Sequence, residues 1–287
     1  MQKTVEPKKI LCIHDLSGVG RCSLAVILPV LSVMGFQPVA LPTVVLSTHT
    51  GGLGTPARLD GSAYGMAALE HYQELGLQFD CIYTGYLGGE AQVALAEKAF
   101  ALWPAAYKVV DPVMGDDGRT YGIYSAALLD GMKALSRKAD VITPNLTEAC
   151  LLADYDIEKV YSDTRKDVLL PLATEISEKL RCLSGKNQDV IITGIKCRDD
   201  KSPFIYNLVT TANGTTTHRS HFFDVSFSGT GDLFASVICG SRLNGFSTEE
   251  AAERAGKFLY DSIADTMNDD TAPNDGVNFE KFLRELM

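Results

Sequence analysis

The sequence predicts a three-layer α/β/α fold: a mainly parallel central sheet with helices on both faces, and a small β hairpin or lid. Three observations predict it. Short apolar runs of strand length alternate with longer amphipathic segments along most of the 287 residues, as buried parallel strands joined by crossover helices require. The alternation breaks once, at "PFIYNLVTTANGTTTHRSHFF" (203–223), where two β-branched runs flank Asn213-Gly214, a dipeptide suited to a tight hairpin turn. Glycine, aspartate and hydroxyl residues also gather just after the apolar runs, where core packing has no use for them. With no internal repeat, low-complexity segment or linker, residues 1–287 read as one domain.

The elements follow in order. "KILCIH" (9–14) is a strand, and "CSLAVILPVLSVMG" (22–35) a helix that Pro29 should kink. "PVALPTVVLS" (38–47) is extended, and "SAYGMAALEHYQELG" (62–76) is helical. Strands in "DCIYTGYLG" (80–88), "YKVVDPVMG" (107–115) and "DVITPN" (140–145) are separated by helices over 90–102 and 125–138. A helix starting at Leu146 and another over 164–184 precede the strand "DVIITGI" (189–195). After the hairpin the chain returns to helices over 231–244, 248–267 and 277–286.

Composition narrows the function. Lys and Arg number 26 against 36 Asp and Glu, a formal net charge of −10, so nucleic acid and anionic membranes are poor partners. No run approaches the ~20 apolar residues of a membrane span. The amino terminus, "MQKTVEPKKI", lacks the apolar core of a signal peptide, so a cytoplasmic location is expected. The seven cysteines are scattered without a CxxC pair, which indicates neither a zinc cage nor a disulfide framework.

Ligands of open parallel sheets gather beyond the carboxyl ends of the strands. The residues there are His14 to Gly18, Ser47 to Gly52, Thr84 to Tyr86, Asp111 to Asp116, Thr143 to Asn145, Thr193-Gly194 and Gly229 to Asp232. "SGTGD" places Gly229, Thr230 and Gly231 at the first turn of an apolar helix, where unpaired N–H groups and the helix dipole favour a phosphate. Asp232 beside that cradle, kept ionised by the same dipole, can take the proton of an attacking hydroxyl. The same residues also read as a glycine-rich turn with a favourable first-turn charge. The GxxxxGK[ST] pattern is absent, "SGVGRCS" (17–23) lacks its lysine, and neither glycine stretch completes GxGxxG. A nucleotide would therefore need magnesium, for which Asp111, Asp116 and Glu148 are available carboxylates. Turn formation and helix capping are the alternative uses of these residues. His218 and His221 would face opposite sides of a strand and make no metal pair. His49, in a polar loop, suits ligand contact better.

"STHTGG", "YTGYLG", "VVDPVMGD", "VITPNLTEA" and "GTGDLFAS", in this order and spacing, resemble the pyridoxal kinase branch of the ribokinase superfamily. The likeness runs from about residue 8 to 267. GTGD is shared by the superfamily, "DPVMGD" with "TPN" narrows it to the vitamin kinases, and "STHTG" with "TGYLG" favours the pyridoxal side. The resemblance implies a ribokinase-like fold and ATP-dependent phosphorylation of a hydroxymethyl group on a pyridine ring. It makes Asp232 the base, with Gly229, Thr230 and Gly231 as the anion hole. It places Asp111, Asp116, Asn145 and Glu148 around magnesium and phosphate, and Thr193 and Thr230 at the nucleotide. Asp15, Ser17, Val44, His49, Thr50 and Tyr86 fall near the vitamin. It also implies a homodimer and a monovalent cation such as K⁺ beside the anion hole. One departure stands out. Pyridoxal kinases carry Gln-Ser-His after the first strand, whereas "IHDLSGVGRCS" puts Asp15 at the serine and resembles the "SDPSGGAG" loop of hydroxymethylpyrimidine kinases. Those enzymes, in turn, often have a cysteine near GTGD, which is missing here. Hydroxymethylpyrimidine kinase and a non-catalytic pyridoxal phosphate or nucleotide binder are the competing readings, and a nicotinamide oxidoreductase is the weakest.

Overall fold

A computed structural model describes residues 6–122, 124–198 and 204–287. The first half of the polar amino-terminal stretch and Pro203, the first residue of the hairpin run, lie outside the described residues.

Parallel strands β1 (Lys9–Val19), β2 (Gln37–Thr48), β4 (Cys81–Thr84), β5 (Tyr107–Val110), β8 (Val141–Ile142) and β9 (Asp189–Cys197) form the centre of a nine-stranded sheet. Antiparallel strands complete it: β3 (Arg58–Asp60) beside β2 at one edge, and β10 (Phe204–Thr211) and β11 (Gly214–His221) beside β9 at the other. The order is β11-β10-β9-β8-β5-β4-β1-β2-β3. A separate ribbon pairs β6 (Gly115–Asp116) with β7 (Arg119–Thr120) just beyond β5.

Alternation along the strands splits the core in two. Leu11, Ile13, Ile82, Val110, Ile142 and Ile192 point to one face. There they pack on Leu69 of α2 (Ser62–Glu74), Leu95 of α3 (Glu90–Leu102), Met132 of α4 (Ala126–Lys138), Ala149 of α5 (Leu146–Ala153) and Ile176 of α7 (Lys166–Ser184). Ile10, Cys12, Cys81, Tyr83, Val109, Val141 and Ile191 point to the other face. They meet Ile27 of α1 (Leu24–Val33), Val237 of α8 (Thr230–Leu243) and Phe258 of α9 (Thr248–Thr266). Continuous apolar strands are therefore covered twice, as a parallel sheet demands. No helix among the described residues is long and apolar enough to cross a membrane.

Four details differ from the sequence-based expectation. The hairpin is not a free-standing lid: β10 pairs with β9 from Val190 to Cys197, so the ribbon extends the main sheet. The last helix, expected over 277–286, is a 3₁₀ segment over Glu280–Leu286, a form favoured where a short terminal stretch follows irregular chain. A short helix, α6 (Ile157–Tyr161), was not anticipated. Most consequential, β1 continues past His14 to Val19, with Leu16, Ser17 and Val19 paired to Val45, Leu46 and Thr48. The polar segment "DLSGV" hides this continuation, because its partner strand rather than its own apolarity holds it. Thr43 and Val44 stand opposite the single residue Asp15 at a register shift, the local irregularity that re-aims side chains near sites.

Candidate active site

The two glycines of the GTGD turn have different reasons to be glycine. Gly229 is the N-cap of α8 with φ 76°, and a Cβ there would lie 1.8 Å from the Arg21 carbonyl oxygen. It is a packing requirement. A Cβ on Gly231 would meet only Asp111 Oδ2, at 3.9 Å, and Gly231 is exposed. The opening therefore lies over the first turn of α8, whose amides lack intrahelical acceptors and face the positive end of the dipole. Thr230 Oγ1 makes one long bond, donating to the Phe227 carbonyl at 3.4 Å.

Asp232 stands at that turn, with Oδ2 accepting the Ser23 main-chain N–H at 2.9 Å. Burial, with Asp111 beside it, pushes its carboxyl up to about 8, against the Ser23 amide that favours the charged form. The helix dipole is therefore not alone in setting the charge of Asp232: burial and the like charge of Asp111 act against the ionised form. Asp111 is likewise pushed up by burial, to about 7, although Thr143 Oγ1 donates to its Oδ1 at 3.1 Å. Glu148 is raised by burial and then by Asp111. Its two oxygens accept the Met114 N–H at 3.0 Å and the Asn145 N–H at 2.8 Å. Asn145 completes the capping box of α5 by accepting the Glu148 N–H, and its Nδ2 donates to the Gly115 carbonyl at 2.7 Å. Capping and site assembly are thus one arrangement: α5's first turn clamps the 113–115 loop next to Asp111.

The three carboxylates expected around magnesium do not form a ready cage. Among the described residues no three His, Cys, Asp or Glu side chains converge as metal ligands. Glu148 spends both oxygens on amides, and Asp116, on the β6–β7 ribbon, turns Oδ1 to the Asp117 N–H at 2.8 Å. The mutual crowding of Asp111, Glu148 and Asp232 nonetheless fits a cation, which would relieve the cost that raises all three.

The residues assigned to the vitamin side divide. Asp15 is buried, and its two oxygens accept hydroxyl hydrogens from Ser17 at 2.9 Å and Ser23 at 2.5 Å. Ser17 is 1% exposed and Val44 0% exposed, and Ser17 reaches the site through its bond to Asp15. Tyr86 is half-buried near Asp15 and Arg58, with burial the main cause of its raised phenol. Thr50 is exposed. His49 is a strap. Its Nδ1 accepts the Gly51 N–H at 3.1 Å, so Nε2 carries the proton and donates to the Asn274 carbonyl at 2.7 Å, with Ser228 Oγ 3.2 Å away. It joins the end of β2 to the residues just before GTGD and to the turn at Pro273–Asp275. On the nucleotide side, Thr193 donates its N–H to the Pro144 carbonyl at 2.9 Å and bridges Asn145, which brings those two expected contacts together.

Residues 68–275 match the phosphomethylpyrimidine kinase family. A protein assigned as a phosphomethylpyrimidine kinase from Bacteroides thetaiotaomicron VPI-5482 superposes with a TM-score of 0.87 at 36% identity, covering 100% of this chain and 96% of that one. A second crystal form of it contains pyridoxal. The pyridoxal kinase of Lactobacillus plantarum superposes at a TM-score of 0.84 with 30% identity, covering 97% and 96%. The chain belongs to the phosphomethylpyrimidine kinase family, among its pyridoxal kinases. A Bordetella avium (strain 197N) pyridoxine/pyridoxal/pyridoxamine kinase is 29% identical over 261 residues, 85% of this chain and 80% of that protein.

Two residues of this kinase-family site escape sequence reasoning. Tyr121 follows the β6–β7 ribbon, and after burial its phenol is raised by the charges of Glu148, Asp116, Asp111 and Asp232. Nothing in "RTYGIY" signals that. Ser23 touches both Asp15 and Asp232; a serine just before the apolar run "LAVIL" reads as an ordinary N-cap, yet it makes no side-chain cap bond.

Proposed function

We propose that this chain transfers the γ-phosphoryl group of ATP to the 5′-hydroxymethyl group of a B6 vitamer (pyridoxal, pyridoxine or pyridoxamine), acting as one kinase domain in pyridoxal 5′-phosphate salvage. The observation that carries this reading is Asp232: a carboxylate poised near neutrality at the open first turn of α8, anchored by the Ser23 N–H. The acceptor's O–H gives its proton to Asp232 as its oxygen attacks the γ-phosphorus, and the bond to the bridging oxygen breaks to release ADP. Amides of the α8 first turn meet the charge on the transferred group. Magnesium, when bound, would offset phosphate charge, and Asp111, Glu148 and Asp116 are the carboxylates that would hold it. Tyr86 and Thr50 would face the vitamer, and Asn145 and Thr193 the nucleotide. A homodimer with a monovalent cation beside the anion hole completes the proposal.

The test offers Mg-ATP with pyridoxal, pyridoxine, pyridoxamine and hydroxymethylpyrimidine in parallel. Turnover of at least one B6 vitamer well above the pyrimidine is expected. Turnover of the pyrimidine alone, or none with ligand binding intact, would sink the proposal.

A further inference from the structure

Resting on this kinase reading, we infer that Ser23 is a positioning residue: its hydroxyl, held by Asp15, fixes a strained main chain whose N–H aims the base Asp232. Ser23 has φ 51° and ψ −137°, one of three described non-glycine residues at positive φ. L-residues reach that region only when surrounding contacts over-determine it. The contacts are specific. The main-chain N–H donates to Asp232 Oδ2 at 2.9 Å, and the hydroxyl donates to Asp15 Oδ1 at 2.5 Å, the short length of a charge-assisted bond. Ser17 occupies the other oxygen of Asp15 at 2.9 Å and fixes that carboxylate in turn. Arg21 and Cys22, the two residues before Ser23, pack on Gly229, where only a missing Cβ leaves room. The segment 21–23 is thus wedged between β1 and the GTGD turn, and it carries the side-chain-to-base contact across the site.

This reading explains Asp15 without a direct vitamer contact. A carboxylate where the resemblance leads one to expect a serine offers a separate oxygen to each of two hydroxyl donors, where a serine offers only one, and one of those donors tethers the residue that aims the base.

The substitution series is Ser23→Ala against Ser23→Gly. Alanine removes the hydroxyl but keeps the Cβ, so the backbone relaxes away from positive φ and the N–H leaves Asp232. Glycine also removes the hydroxyl but adopts the conformation without strain, so its N–H can still reach Asp232. Ser23→Ala is expected to lower kcat about 10- to 100-fold with KM for the vitamer little changed. Ser23→Gly, which loses the tether but not the conformation, is expected to recover part of that loss, with a kcat at least about threefold above the alanine variant. Hydrogen exchange of the residue-23 amide supplies a readout independent of turnover: protected in the parent and the glycine variant, unprotected in the alanine variant, with the rest of the protection map unchanged. Equal losses of kcat in the two variants, or an amide equally protected in both, would overturn the positioning role. If the parent phosphorylates nothing yet the exchange pattern is as expected, the geometry stands and the kinase reading falls.

Discussion

Asp111 Oδ2 lies 3.9 Å from where a Cβ on Gly231 would stand, so this carboxylate borders the one glycine of GTGD whose missing side chain leaves open space. Gly229, two residues earlier, is filled by backbone of residues 21 and 22. The two glycines should therefore fail differently. Gly229→Ala, forced into the Arg21 carbonyl at φ 76°, is expected to destabilise by about 2–4 kcal/mol. Gly231→Ala should leave the thermal midpoint nearly unchanged and reduce phosphate transfer by about 100-fold by crowding the anion. Thermal melts beside initial rates check both.

Ligand-free stability should depend on pH in an unusual direction. Asp111 and Asp232 have folded-state values of about 7 and about 8, above the unfolded value. A raised carboxyl contributes stability that is fully present below the unfolded value and is lost as pH rises through the folded one. The cluster's contribution should decline from about pH 4 to about pH 8. Asp232→Asn, which keeps an acceptor for the Ser23 N–H without the charge, should melt higher than the parent at pH 8 and similarly at pH 5. A flat difference across that range would show that the pair does not titrate as described.

Catalysis should show the matching limb. Asp232 accepts a proton only when ionised, so kcat/KM should fall as pH drops below about 8 at low magnesium. A cation near Asp111 favours the ionised forms, so added magnesium should move that limb to lower pH. Rates measured from pH 5.5 to 9 at two magnesium concentrations are the check.

Asp111→Asn should raise the magnesium concentration needed for half-maximal rate about 10-fold while leaving vitamer binding unchanged. Its Thr143 contact at 3.1 Å can persist with an amide oxygen, so the fold should hold. Calorimetric vitamer binding beside a magnesium titration of the rate separates the two effects.

Most of the fold was legible because buried parallel strands are written as short apolar runs, such as "CIY" in "DCIYTGYLG" and "VII" in "DVIITGI". The tail of β1 was not, since Asp15, Ser17 and Gly18 are held in the sheet by pairing to β2, a long-range interaction with no local signature. The GTGD turn was legible through glycine's cost to a helix. Ser23 was not, because a strained φ leaves no mark in a sequence, and its two partners lie 8 and 209 residues away. Glu148 shows the limit of assigning one role per residue: its oxygens cap α5 and hold the Met114 loop, and its charge still crowds Asp111.

The measurement that bears most directly on the central claim is phosphate transfer from Mg-ATP to the preferred B6 vitamer by the parent chain and by Asp232→Asn, with calorimetric binding of the vitamer to both. The expected result is a loss of at least about 1,000-fold in kcat with vitamer affinity within a few fold. A variant that transfers phosphate at a rate close to the parent would contradict the role of Asp232 as the base.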